Sequence, residues 1–229
     1  MSGRSKDSTS RRYDGLADWY DENLAGFTLA ATNVVERLLG TGPGRCLDLC
    51  CGTGLHLPTL LRLGWDVTGV DISADQLRLA RERAGNAVQL LLADATALPF
   101  EDEQFDAVLS MFTHTDVDEF GVLVREAVRM LRPGGVLVYV GLHPCFIGPH
   151  SGFLAAKGVP TLHPGYREGR RYTDAPGISP EGLRAKVGAV HIPLGDLLQA
   201  FLDAGLALDR FEEHGDGDYP SRIALRARR

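Results

Sequence analysis

A chain of 229 residues, 44% hydrophobic and 24% charged, has the make-up of an ordinary globular protein and the length of one large domain, which excludes fibrous and wholly disordered classes. Its formal net charge of −6 argues against a general binder of nucleic acid or anionic membrane, because such proteins need a positive field to displace counterions. The cysteines, Cys46, Cys50, Cys51 and Cys145, form neither a C-x-x-C pair nor a zinc spacing, so no metal site and no disulfide framework is expected, and the expected setting is a reducing cytoplasm.

The opening "MSGRSKDSTSRR" is basic and serine-rich, with no apolar run behind it of signal-peptide or membrane-span length. It is expected to be a disordered leader, residues 1–12, ahead of a single domain, residues 13–229. Apolar residues at helical intervals in "YDGLADWYDENLAGFTLAATNVVERLLG" predict two short helices with the break at Gly26. From Gly44 the apolar runs "RCLDLC", "WDVTGVD", "AVQLLLAD", "FDAVLS" and "GVLVYVG" alternate with the amphipathic segments "LHLPTLLRLG", "SADQLRLARERAG" and "DEFGVLVREAVRMLRPGG". Strand, helix, strand repetition with nearly all-apolar strands predicts an α/β fold whose parallel sheet is covered on both faces. Ser73 is placed as an N-cap, Gly85 as a stop, and "RPGG" as a sharp terminator.

Residues 142–192 are rich in Pro, Gly and His without a sustained period, and are too long for a simple connection. The bulk of His143, Pro144, Phe146, Phe153, Tyr166 and Tyr172 favours a lid or substrate wall over a bare loop. Beyond it, "LGDLLQAFLDAGL" reads as a helix, and "ALDRFEEHG" with "RIALRAR" as a closing β-hairpin.

The stretch "LDLCCGTGLH" falls at the carboxyl end of the first strand, where open α/β sheets bind ligands. Gly52 and Gly54 permit close backbone approach, and the helix that follows offers free N–H groups to an anion or carboxylate. A dinucleotide fingerprint would need glycine or alanine where Leu57 stands, and no Gly-Lys-Ser/Thr follows, so the NAD and Walker A readings are disfavoured. Asp71 ends the second strand, where a carboxylate can accept from both ribose hydroxyls of an unphosphorylated adenosine; Asp94 ends the third, where it can accept from an adenine amino group while the Ala95 N–H approaches the ring.

With these residues in place the sequence resembles the class I S-adenosylmethionine-dependent methyltransferases, in particular a small-molecule branch similar to quinone-biosynthesis enzymes. The resemblance is carried by "LDLCCGTG", "GVDIS", "ADATALPF", "FDAVLSMFTHTDVDEF" and "EAVRMLRPGG" and runs over roughly residues 13–141. It implies a Rossmann-like fold, a seven-stranded mostly parallel sheet with a C-terminal antiparallel hairpin and helices on both faces. It implies S-adenosyl-L-methionine as cofactor, with S-adenosyl-L-homocysteine as product. By the same resemblance Asp48, Cys50, Cys51, Gly52 and Gly54 cradle the methionine end, Asp71 and Ile72 hold the ribose, Asp94 and Ala95 hold adenine, and Ser110 lies near the sulfonium. The helices of residues 13–40 become a lid with Tyr13 over the cofactor. Cys50 departs from the family's usual glycine.

Methyl transfer from a sulfonium is an in-line displacement that alignment in a water-poor site can drive, and a general base matters only where the acceptor must lose a proton. His114 after the fourth strand and His143 after the fifth are the candidate bases. His150, His163 and His191 are too irregularly spaced for a metal site, and "YREGRR" is either an anion patch or a solvated face. The expected function is methylation of an O, N or C atom of a small metabolite in a specialised biosynthetic pathway. The alternative is a cyclase or pericyclase that uses the fixed sulfonium charge without methyl transfer. A tRNA or protein methyltransferase is disfavoured by the acidic balance.

Overall fold

The computed structural model describes residues 12–152, 160–176, 178 and 181–229. The expected leader, apart from Arg12, and Phe153 lie outside the described residues. Among the described residues no helix is long and apolar enough to cross a membrane.

Seven strands form one sheet: β1 (Arg45–Leu49), β2 (Asp66–Asp71), β3 (Gln89–Leu92), β4 (Phe105–Met111), β5 (Leu131–Leu142), β8 (Ala207–His214) and β9 (Arg222–Arg228). Their order is β3-β2-β1-β4-β5-β9-β8. The first five run parallel, and β9 enters antiparallel between β5 and β8, with Tyr139 opposite Leu225. Strand order reverses between β1 and β4, which opens the crevice at their carboxyl ends.

The strands read as continuous apolar runs because both faces are covered. Along β5 the side chains alternate: Leu137 and Tyr139 join Phe105, Phe120, Met130 and Phe201 on one face. Val138 and Val140 join Val35, Leu38, Leu60 and Leu77 on the other. A period of two therefore distributes one apolar run between two cores.

The helices α3 (Leu57–Arg62), α4 (Ala74–Ala84), α5 (Phe120–Met130) and α7 (Leu194–Asp203) fall on the amphipathic segments. The Ser73 side chain accepts from the Gln76 N–H, and α4 stops at Gly85 with φ +57°, where glycine is unstrained.

The N-terminal helices differ from expectation. Helix α1 (Ala17–Leu29) continues through Gly26, and the break before α2 (Thr32–Leu39) lies at Ala30 and Ala31. Glycine weakens a helix by about 1 kcal/mol without barring helical angles. The turn falls where α2 must swing to lay Val34, Val35, Leu38 and Leu39 on β5 and β9.

The segment of residues 142–192 contains a two-stranded antiparallel sheet, β6 (Arg170–Tyr172) with β7 (Ala189–His191), and the short helix α6 (Leu183–Val187). It reaches back to the end of β4, where β7 packs on the 3-10 turn Thr113–Thr115.

Candidate functional site

A cavity of about 550 Å³ opens at the carboxyl ends of β1, β2 and β4, within the size range of small-molecule sites, about 300–1,000 Å³. Cys50, Gly52, Asp71 and Ile72 form its floor; Tyr13, Tyr20, Leu24 and Phe27 cover it from the N-terminal side. Met111, Phe112, Val117, Leu142 and Leu183 make most of the remaining wall apolar. An annex of about 50 Å³ continues beneath the glycine turn, lined among others by Asp48, Cys51, Thr53 and His56.

The turn itself needs left-handed backbone at Cys50 (φ 60°), Gly52 (φ 55°) and Gly54 (φ 76°). At Cys50 this conformation costs about 1 kcal/mol, which glycine would not incur. Gly54 does not line the cavity. A methyl there would sit 2.7 Å from Leu57 and 3.0 Å from Ala80, so this glycine lets α3 and α4 pack together.

Asp71 joins the turn to β2. Its Oδ2 accepts from the Gly52 N–H at 2.9 Å and its Oδ1 from the Ser73 N–H at 2.9 Å. Each oxygen keeps a lone pair for a ligand. Burial raises the carboxyl's pKa, and the backbone donors at Ser73, Gly52 and Ile72 oppose the rise. Asp48, 3% exposed in the annex, is pushed up to about 7 by burial first and by the charge of Asp71 second.

A polar corner interrupts the apolar wall. The Tyr13 hydroxyl donates to Asp116 Oδ1 at 2.7 Å, and Arg184 Nη1 donates to the same oxygen at 2.7 Å. Arg184 Nη2 donates to Thr115 Oγ1 at 2.8 Å. Burial, then the charge of Asp116, raises the Tyr13 pKa well above that of free tyrosine. For Arg184, burial opposes the charge and Asp116 outweighs it, so its pKa is raised. The corner ties the start of the N-terminal segment, the end of β4 and α6 to one carboxylate.

Several expected site residues stand elsewhere. Asp94 accepts from the Thr96 N–H at 2.9 Å and its hydroxyl at 2.7 Å, and neither Asp94 nor Ala95 lines the cavity. Ser110 is buried behind Thr113, with 2.8 Å between their hydroxyls. His114 is 3% exposed and hydrogen-bonded to the Tyr139 hydroxyl; burial, then the charge of Arg184, lowers its pKa to about 3. His143 is held between Glu213, 2.6 Å from its Nε2, and the Cys145 N–H, 3.2 Å from its Nδ1. Among the described residues, neither histidine lines the cavity or its annex, and no group of three or more His, Cys, Asp or Glu side chains is arranged to hold a metal. Asp116, Arg184 and His56 are site residues that sequence reasoning missed. Only His56 carried a signal, its place beside the glycine turn.

Residues 47–139 match the family described as "Methyltransferase domain". Over 149 residues the chain is 34% identical to a demethylmenaquinone methyltransferase of Renibacterium salmoninarum, a stretch that spans 62% of each protein. The fold is similar to an S-adenosylmethionine-dependent methyltransferase from Mesorhizobium loti, with TM-score 0.72, 25% identity and coverage of 94% of this chain and 99% of that one. It is also similar to the 1,6-didemethyltoxoflavin-N1-methyltransferase of Burkholderia thailandensis, solved with 1,6-didemethyltoxoflavin and S-adenosylhomocysteine. There the TM-score is 0.63 at 20% identity, covering 97% of this chain and 85% of that one. A Rossmann-like α/β domain with its crevice at the β1/β4 reversal thus shares its fold with methyltransferases, and residues 47–139 carry the sequence pattern of a methyltransferase domain. Over these stretches the chain is similar to class I S-adenosylmethionine-dependent methyltransferases, among them quinone-biosynthesis types, and it spans about three fifths of the length of the curated relatives it matches.

The residues present fit that cofactor. Asp71 faces the cavity with lone pairs to spare, and the annex supplies a buried carboxyl together with an imidazole whose two nitrogens make no well-formed hydrogen bond.

Proposed function

We propose that the protein transfers a methyl group from S-adenosylmethionine to a small, largely apolar metabolite. The observation that carries this reading is the apolar cavity at the sheet's switch point, with Asp71 in its floor and a polar annex at one end. The bound cofactor supplies an electrophilic methyl on a sulfonium. Asp71 accepts from the ribose hydroxyls, Ile72 packs on the nucleoside, and Asp48, Cys50, Cys51 and Gly52 enclose the methionine tail. Thr96 occupies only Oδ1 of Asp94, so the adenine role of Asp94 falls to its Oδ2, beside the Ala95 N–H.

Tyr13, Tyr20, Leu24 and Phe27 exclude water from the line of attack, and positioning supplies most of the rate. For an acceptor that must lose a proton, the cavity carboxylate not assigned to the cofactor is Asp116, with Tyr13 hydrogen-bonded to it. Neither His114 nor His143 lines the cavity, so each would have to turn toward it to serve as a base.

The apolar walls suit a ring compound of the kind named in the Renibacterium relative, a demethylmenaquinone, or a comparable product of a specialised pathway. The test is incubation with methyl-labelled S-adenosylmethionine and a panel of apolar aromatic acceptors that includes a demethylmenaquinone. Label in the acceptor with an equal amount of S-adenosylhomocysteine is the expected result. Consumption of an acceptor with the label still on the cofactor would overturn methyl transfer in favour of the cyclase reading.

A further inference from the structure

His56 is only 4% exposed, yet neither Nδ1 nor Nε2 makes a well-formed hydrogen bond, and the Thr28 backbone beside the ring does not offset burial, which lowers its pKa to about 4. A buried imidazole without a well-formed hydrogen bond is costly, and such a group points to a partner supplied by something else. The ring lines the annex beneath the glycine turn, opposite residues of the covering helix, Tyr20 and Thr28.

The other polar groups nearby are engaged. The Thr53 hydroxyl donates to Asp21 Oδ1 at 2.7 Å, and Arg83 is bound to Asp21 Oδ2 at 2.7 Å and to the Thr53 carbonyl. Among the described residues, no lysine or arginine lines the annex, and His56 is its only side-chain nitrogen donor. The annex therefore presents one carboxyl, Asp48, and one imidazole without a well-formed hydrogen bond. That pair complements a zwitterionic α-amino acid: an ammonium for the carboxylate and a carboxylate for a ring N–H.

Resting on the cofactor reading above, we propose that His56 is a positioning residue that donates a ring N–H to the carboxylate of the cofactor's amino-acid tail, while Asp48 accepts from its ammonium. The imidazole thereby fixes the tail and, through it, the direction of the sulfur–methyl bond. The assignment explains why a histidine with no well-formed hydrogen bond is kept under the lid.

The test compares S-adenosylhomocysteine with 5′-methylthioadenosine, which keeps the nucleoside and sulfur but lacks the amino-acid tail, by titration calorimetry on the full chain. His56→Ala is expected to weaken S-adenosylhomocysteine about 10-fold or more and 5′-methylthioadenosine less than about 2-fold, as loss of one hydrogen bond to a charged group implies. His56→Asn, which keeps an N–H donor, is expected to recover part of the loss. In the wild-type protein the His56 ring nitrogens should shift in NMR spectra on addition of S-adenosylhomocysteine and not of 5′-methylthioadenosine, a readout independent of whether the variants fold. Equal weakening of both ligands, or none, would overturn the proposal and leave His56 as packing. Failure of the wild-type protein to bind S-adenosylhomocysteine at all would overturn the cofactor reading beneath it.

Discussion

The hydroxyl of Tyr139 and Nδ1 of His114 are hydrogen-bonded to each other in the interior, behind the wall of the cavity. Gly141 makes the pair possible: a methyl there would collide with the Tyr139 hydroxyl and come within 3.0 Å of His114 Nδ1. Tyr139→Phe is expected to lower unfolding free energy by about 1 kcal/mol and to leave the pH dependence of kcat/KM unchanged. Gly141→Ala is expected to cost roughly 2–4 kcal/mol through overpacking and the lost hydrogen bond. Denaturant unfolding and a pH–rate profile check both. A shifted limb in the Tyr139→Phe profile would return His114 to the role of base.

Asp48 is expected to trade stability for binding. Its folded pKa of about 7 lies above the unfolded value of about 3.9, so between those values the native state holds the extra proton. The stabilisation from that proton is complete below the unfolded pKa and is lost as pH rises through about 7. Asp48→Asn should therefore exceed the wild type in stability by roughly 2–4 kcal/mol at pH 8, with the gap closing near pH 4. It should also bind S-adenosylhomocysteine more weakly. Urea denaturation at the two pH values decides, and a gap independent of pH would contradict the assignment.

Asp71 serves both fold and ligand. Asp71→Ala is expected to weaken S-adenosylhomocysteine by at least about 1–2 kcal/mol. It should also lower stability, since the Gly52 and Ser73 N–H groups lose their acceptor. Unchanged affinity would remove Asp71 from the ribose role.

Arg184 fastens the cover of the cavity through Asp116. Arg184→Ala is expected to cost roughly 1–3 kcal/mol and to raise amide hydrogen exchange across residues 13–29. It should raise KM for the acceptor more than it lowers kcat. Exchange identical to the wild type would mean that the tie does not hold the lid.

The strands were legible because burial on both faces leaves an unbroken apolar run, and the helix ends were legible where Ser73 and Gly85 act through their own chemistry. The glycine turn and Asp71 were readable for the same reason, since both lie at strand ends whose place the pattern fixes. The polar corner was not, because Arg184 and Asp116 are 68 residues apart. Elements β6, α6 and β7 have 3, 5 and 3 residues, too few to establish a period. The side-chain directions of His114 and His143 were illegible too: a strand end fixes where a residue stands, while Tyr139 and Glu213 decide which way each ring faces.

The most direct measurement of the central claim is titration calorimetry of the purified protein with S-adenosylmethionine, S-adenosylhomocysteine and NAD. One-to-one binding of both adenosyl ligands, with the demethylated one bound comparably or more tightly and no heat from NAD, is the expected result. Binding of NAD, or of neither adenosyl ligand, would contradict the account.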